Sequence, residues 1–468
     1  MLNIPCAISK VVSTFIFSLF IFISPAQTIK GKLLTAYQQF EADSQLRHAL
    51  SSLYVINAKT GEVVFDKNSQ IGLAGASTQK IITATTAFEL LGKDYRYKTE
   101  VGYIGDLKAN GNLKGDIVIR PSGDPTLASW RWKSTSEDSV FFRIIKAIQD
   151  KSIKSINIVS IDNSTWEPVT IPDGWTWGDI SNYYGAPANK FNWRENQFDI
   201  ILKSGKNLND PVQIVDYNPK VHTATLTSKL TSAPKGTGDN AYVYFPLSGY
   251  SGYILGTIPI GEDHFVISAS MPNVENDFTL RLIDSLCKKK ICQVHNEIDA
   301  SKFPFVSFYT EMSPTLDSII YWFLKRSINL YGEALVKTFA YEKIKYGSTD
   351  SGIAIIKDFW KQKGLDPEEI NIKDGSGLSP QNRITTHAQV EILKYAKQQS
   401  WFPYFFDALP EFNNMKMKSG TINDVKGFCG YHTSGDGNEY IFSFLVNNYS
   451  GRASMVVNKM YKVLDVLK

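Results

Sequence analysis

The chain has 468 residues, 43% of them hydrophobic and 21% charged, enough apolar material for a sizeable core spread over two or three domains. Fifty Lys and Arg against 46 Asp and Glu give a formal net charge of +4 with no basic stripe or block, which excludes a charge-driven nucleic-acid binder. The histidines, at 48, 222, 264, 295, 387 and 432, have no ligand spacing, so a zinc centre is not expected.

Residues 1 to 26 carry one lysine, an apolar run from Val11 to Ile23, and then Ser24-Pro25-Ala26. This is the pattern of a secretory signal peptide cut after Ala26, and the run is too short for an ordinary transmembrane helix. An uncleaved N-terminal anchor is the alternative. Cleavage removes Cys6 and leaves Cys287, Cys292 and Cys429, an odd, sparse set that is no disulfide framework. Cys287 and Cys292 could bridge, but CKKKIC reads better as two thiols at a helix end.

After the leader, LLTAYQQFEADSQLRHAL reads as a helix, and SLYVINAKTGEVVFDKN as two strands joined by a turn at Asn57 to Gly61. From Ser77, Ala, Ile, Phe and Leu recur at helical spacing until Gly92, so Ser77 is expected to open a helix. There its oxygen meets unpaired N–H groups and the positive end of the dipole. Lys80, three residues on, shares its face, and a hydroxyl beside an amine is a nucleophile with a candidate base. Ser-x-x-Lys recurs at Ser232 and Ser285. The first is expected in a loop broken by Pro234 and Gly236, and the second in mid-helix, where no free amides exist.

From about 99 the pattern turns to short strands with Gly, Asp and Pro turns, then a helix near VFFRIIKAIQD and a strand near SINIVSIDNS. WEPVTIPDGWTWGDISNYYGAPAN reads only as a rigid surface segment, and alternating strands dominate from 196 to 259. Helical periodicity returns over 313 to 345 and in DSGIAIIKDFWKQKG. DGSGLSPQNRIT, 374 to 385, is turn-rich, and a helix runs from His387 towards Gln398. MKMKSGTI, GFCGYHTS and EYIFSFLVNN read as strands, the last two a hairpin around GDGN, and ASMVVNKMYKVLDVL closes the chain as a helix. The expected class is multi-domain α/β, an antiparallel sheet flanked by helices and split by inserted β-rich domains. The expected division is 27–98 with 283–468 as the split main domain, 99–195 with 260–282 as an inserted domain, and 196–259 nested within it.

Two later stretches complement Ser77. Ser327-Ile328-Asn329 interrupts two helical runs, so a hydroxyl and an amide can project together from the break. Lys418-Ser419-Gly420-Thr421 lies on a predicted strand, where a cation, two hydroxyls and a glycine without a side chain would let a ligand lie along the edge. Each has a decoy. Ser155-Ile156-Asn157 falls in a strand pattern whose alternate residues face opposite ways, and Lys203-Ser204-Gly205 ends a strand of the insertion.

STQK at 77, SIN at 327 and KSG at 418, in that order, resemble the three active-site motifs of the penicillin-recognising serine transferases and peptidases, whose catalytic domain is transpeptidase/β-lactamase-like. With SGDPTL at 122, DGSGLS at 374 and KSGTI at 418, nearly the whole mature chain is similar to the class C penicillin-binding proteins, the D-alanyl-D-alanine carboxypeptidase/endopeptidases. The resemblance implies a Ser77 acyl-enzyme with Lys80 as general base, Ser327 as proton relay and Asn329 holding Lys80 and a substrate amide. It implies a carboxylate site of Lys418, Ser419 and Thr421 beside Gly420, and an oxyanion hole from the N–H groups of Ser77 and Thr421. In the insertion, Asp179 matches an acidic position that helps recognise the diamino-acid side chain of the substrate, and Tyr184 the aromatic near it. The implied partners are peptidoglycan stem peptides and, as covalent inhibitors, β-lactam antibiotics, with no cofactor, no metal and no nucleic acid. A periplasmic location follows, compatible with peripheral association with the membrane. Ser419 stands where Thr is usual, and Pro380 where an arginine is frequent, which removes one carboxylate contact. A serine β-lactamase and a catalytically silent peptidoglycan-binding protein are the competing readings.

Overall fold

The two ends of the chain build one sheet in the computed structural model, which describes residues 1, 28–221, 224–247, 249–294 and 299–468. The signal-peptide expectation and Cys6 therefore lie outside the described residues. Leu50–Asn57 pairs with Val63–Lys67 on one side and with Glu439–Asn447 on the other, in register Leu53↔Phe444. Val425–Thr433, Met415–Ile422 and the short Glu411–Phe412 complete six antiparallel strands.

Side chains alternate across a strand, so a sheet covered on both faces needs apolar residues at successive positions. Residues 53–56, Leu-Tyr-Val-Ile, obey this, while the buried Ser51 and Ser52 before them are polar. Leu53 and Val55 pack with Leu33, Tyr37 and Phe40 of the helix Ile29–Glu41 and with Val456 and Met460 of the closing helix Ala453–Leu464. Tyr54 and Ile56 face the other way, into a core with Ile81, Phe88, Leu335 and Leu393 from the helices Lys80–Leu90, Asn329–Ile344 and Thr386–Lys397. The molecule is an α/β protein in which this sheet sits between two helical layers.

The insertion reaches further than the sequence suggests. Val306–Met312 pairs with Lys98–Leu107, so the expected boundary at 283 falls inside the helix Val274–Lys288. Phe278, Leu282 and Leu286 of that helix pack in the insertion's own core with Ile144 and Trp193. Phe265–Ser270 pairs with Gln197–Lys203, so the nested unit does not close at 259. Both corrections arise from pairings between distant segments, which local periodicity cannot register. Ser232 belongs to the short strand Thr231–Ala233 rather than to a loop. SINIVSI divides into Ser155–Ile156 and Val159–Ile161. Among the described residues no helix is long and apolar enough to cross a membrane. Cys287 and Cys292 are exposed free thiols and Cys429 a buried one.

Candidate active site

Ser77 sits in a tight 3-10 turn, Ala76–Gln79, just ahead of the α-helix Lys80–Leu90, rather than at the first α-helical position. Ala76 takes a left-handed φ of 46°, and Thr78 Oγ1 donates to the Gly75 carbonyl at 2.6 Å, which winds the turn tighter than an α-helix. The strand Met415–Ile422 runs against it. A Cβ on Gly420 would lie 2.4 Å from Gly75 O, 2.8 Å from Thr78 N and 3.0 Å from Ser77 N, so only glycine allows this approach.

Lys80 lies behind Ser77 and is wholly buried. Its Nζ is 2.8 Å from Ser77 Oγ, 2.7 Å from Asn329 Oδ1 and 2.6 Å from the Ser376 carbonyl oxygen. Burial, with the nearby Lys418 cation second, holds its pKa well below the ordinary lysine value, while Asp374 and Glu333 oppose the shift. Lys418, also buried, donates to the Ser419 carbonyl at 2.8 Å and is pulled down to about 7, chiefly by burial.

The helix Leu316–Lys325 ends in a break where Ser327 adopts a left-handed φ of 56°, and Asn329 begins the next helix. Asn329 is held at both ends: Oδ1 accepts from Lys80, and Nδ2 donates to the Tyr184 backbone carbonyl at 2.7 Å. Ser77, Ser327, Asn329 and Thr421 line one cavity of about 750 Å³, which Asp179 and Tyr184 also line. Asp179 accepts from Thr176 Oγ1 at 2.6 Å, and burial together with Asp179 pushes the Tyr184 hydroxyl up. Ser419 is half-buried on its strand and is not among the residues lining the cavity. Pro380 is part of the lining, as is the exposed Arg326.

Sequence reasoning missed the groups that brace this arrangement. The Asp374 carboxylate accepts from Trp175 Nε1, Gly377 N, Ser379 N, Asn382 Nδ2 and Gln79 Nε2, at 2.9, 2.8, 2.6, 2.9 and 3.3 Å. It fixes the DGSGLS loop and with it the Ser376 carbonyl that faces Lys80. The signal available was an Asp opening a Gly- and Ser-rich turn, a residue type that hydrogen-bonds the backbone just ahead of it. Glu333 is fully buried and accepts from Gly375 N at 3.1 Å; burial, then Asp374, raises its pKa to about 8. Lys426, facing Thr421 on the next strand, donates to Thr421 Oγ1 at 2.6 Å and sets a second cation beside that hydroxyl. Glu195 takes a bidentate pair of bonds from Arg131 and one from Tyr331, tying the insertion to the Asn329 helix.

A serine hydroxyl against a buried amine whose pKa is held well below the ordinary lysine value, with a cationic strand alongside, is the chemical equipment for acyl transfer without a histidine. On an α/β sandwich with a large insertion, this defines the penicillin-recognising serine peptidases. The D-Ala-D-Ala carboxypeptidase 3 (S13) family model matches residues 33–466, and the chain belongs to that family.

A D-alanyl-D-alanine carboxypeptidase of Actinomadura sp. (strain R39) is 23% identical over 454 residues, covering 89% of this chain and 81% of the relative. The D-alanyl-D-alanine carboxypeptidase DacB of Haemophilus influenzae is 21% identical, with 84% of each chain covered. The crystal structure of penicillin binding protein 4 (dacB) from Haemophilus influenzae shares the fold, with a TM-score of 0.76 at 19% identity over 93% of this chain and 99% of that one. The same protein complexed with a β-lactam gives a TM-score of 0.71 at 18% identity, over 92% and 98%. The protein is a serine-type D-alanyl-D-alanine carboxypeptidase.

Proposed function

We propose that this carboxypeptidase is exported to the periplasm and trims peptidoglycan stem peptides through an acyl-enzyme on Ser77. The observation that carries the reading is the setting of Lys80, a fully buried amine 2.8 Å from Ser77 Oγ. An amine depleted of protons by burial accepts one near neutral pH, where an exposed lysine cannot.

Lys80 takes the Ser77 proton as Oγ attacks the penultimate D-alanyl carbonyl. The backbone N–H groups of Ser77 and Thr421 receive the oxyanion; one such donor is worth roughly 10²–10³ in turnover. Ser327 passes a proton to the departing amine, the C–N bond breaks, and the terminal D-alanine leaves. Water then hydrolyses the ester and returns the proton to Ser77. Thr421, which lines the cavity, receives the terminal carboxylate, with Lys418 and Ser419 beside it on the strand and Lys426 donating to the Thr421 hydroxyl. An amide nitrogen carries two protons. One N–H of Asn329 goes to Tyr184 and the other serves the substrate amide. Asp179 and Tyr184 meet the diamino-acid side chain. These steps draw on protein groups and water.

A β-lactam acylates the same oxygen, since its ring amide takes the place of the D-alanyl bond. A D,D-cross-link differs from the stem terminus only in its leaving amine, so endopeptidase activity belongs to the same proposal. Mass analysis after incubation with a pentapeptide stem and with a cross-linked dimer tests it. The expected products are the stem shortened by one D-alanine and the separated monomers, with labelled penicillin on the Ser77 peptide. Absence of adduct and of D-alanine release, identical to Ser77→Ala, overturns the reading. An adduct that turns over within seconds points instead to a β-lactamase. Export predicts an exported form whose first residue is Gln27, which N-terminal sequencing reads directly.

A further inference from the structure

The solvent face of a sheet packed on one side is ordinarily polar. One sheet of the insertion breaks that rule. Asn240–Tyr244 pairs with Ser251–Pro259 in register Tyr242↔Leu255 and Tyr244↔Tyr253, so these four side chains share a face. The intervening Val243 and Ile254 point the opposite way and are fully buried in the insertion's core. Tyr242 is 45% exposed and Leu255 38%. The Tyr244 ring stacks on Tyr253 at 5.4 Å. Trp177, 55% exposed, leans edge-on against Tyr244 at 5.1 Å from the short helix Trp177–Ile180, the helix that carries Asp179. The result is a continuous aromatic surface. It begins at the cleft, because Tyr242 lines the same cavity as Ser77.

We infer that this aromatic face is a subsite for the glycan strand to which the stem peptide is attached. The inference rests on the proposal that stem peptides occupy the cleft. Three observations select this occupant. The surface is continuous with the cleft through Tyr242, which lines the same cavity as Ser77 and as Thr421 of the strand proposed to hold the terminal carboxylate. Trp177 and Tyr242 are the exposed rings, backed by Tyr244 stacked on Tyr253, whose ring also carries the Lys229 ammonium at 4.9 Å; flat rings with polar tips and a nearby cation pack the C–H face of a pyranose while hydrogen-bonding its hydroxyls and N-acetyl groups. Large apolar side chains gathered exposed on one face, here Trp177, Tyr242 and Leu255, mark a binding surface rather than incidental exposure.

Two measurements on the full chain test it, one independent of catalysis. Peptide-free oligomers of N-acetylglucosamine and N-acetylmuramic acid, titrated by calorimetry, are expected to bind saturably and to bind about tenfold more weakly to the double variant Tyr244→Ser, Tyr253→Ser. In the second, kcat/KM for a disaccharide-pentapeptide is expected to exceed that for the free pentapeptide by about tenfold in the wild type. In the variant that ratio falls towards one, while the free-pentapeptide rate and penicillin acylation stay unchanged. Leu255→Ser is the second variant should the double one fail to fold. Glycan that does not bind, or equal rates on the two substrates in the wild type, overturns the inference. So does a dimer that the variant dissociates, with no glycan bound, since the face then serves self-association. Loss of penicillin acylation in the wild type would sink the Ser77 proposal while leaving the glycan titration to be judged alone.

Discussion

Replacing Gly420 by alanine adds one methyl group at the closest contact between strand and serine turn. That carbon would sit 2.4 Å from the Gly75 carbonyl oxygen, about 1 Å inside the 3.4 Å at which ordinary contact begins. Its neighbours are backbone atoms, so no rotamer change relieves the overlap. Strand and turn must separate by about 1 Å, which carries Ser77 away from the Thr421 N–H. Misplacement on that scale costs roughly 10²-fold in rate, and overpacking typically removes about 1–3 kcal/mol of stability. The assay is the second-order rate of acylation by a fluorescent penicillin, read on gels, beside a thermal melt. We expect acylation to fall about 100-fold while the variant still unfolds in one cooperative step, at a lower temperature. Acylation at the wild-type rate would show that the turn and the strand move freely, and that their contact does not set the site.

Lys418 is charged below about 7 and neutral above it, so affinity for carboxylate-terminated peptides should weaken as pH rises through that value. KM against pH for a free-acid pentapeptide and its C-terminal amide separates the effect, since the amide should give a flat profile. The folded protein binds fewer protons at Lys418 than the unfolded chain between about 7 and 10.5, so stability should rise with pH across that window. Lys418→Met should flatten that rise in urea melts taken at several pH values. Asp374→Asn turns one acceptor oxygen into a donor facing N–H groups. A loss of about 2–4 kcal/mol in urea unfolding is expected, with acylation slowed as the Ser376 carbonyl loosens; wild-type stability would count against the hub. Thiol reagents on the native protein should label the peptides carrying Cys287 and Cys292, with the Cys429 peptide reacting only after denaturation. Labelling of Cys429 in the native protein would mean that its strand opens.

The helix at 386, the hairpin around GDGN and the break at Ser327 were legible because each rests on short-range signals: apolar spacing, turn residues or an interruption in a periodic run. The three motifs are visible as spacings; Ser327 lies at a helix break and Lys418 on a strand as expected, while Ser77 lies one turn ahead of its α-helix. The division of the insertion was not legible, because Val306–Met312 meets Lys98–Leu107 across some two hundred residues and neither strand carries a mark of its partner. Asp374 and Tyr184 illustrate the same limit within the site. Asp374 draws bonds from Trp175 and Gln79, each far away in sequence. Tyr184 matters partly through its main-chain carbonyl, which any residue type would supply. Helical spacing alone sets Ser77 at an α-helix terminus, whereas the Thr78 hydroxyl bonds back onto the Gly75 carbonyl in a tighter 3-10 turn.

Asn329 grips Lys80 with one end of its amide and the inserted segment with the other. The inserted segment is therefore no detachable module. Excising it, or exchanging it for a relative's version to alter substrate preference, would also release one end of the side chain that steadies the amine. Grafts meant only to change selectivity should therefore be judged first by whether the carbonyl at position 184 returns to its place.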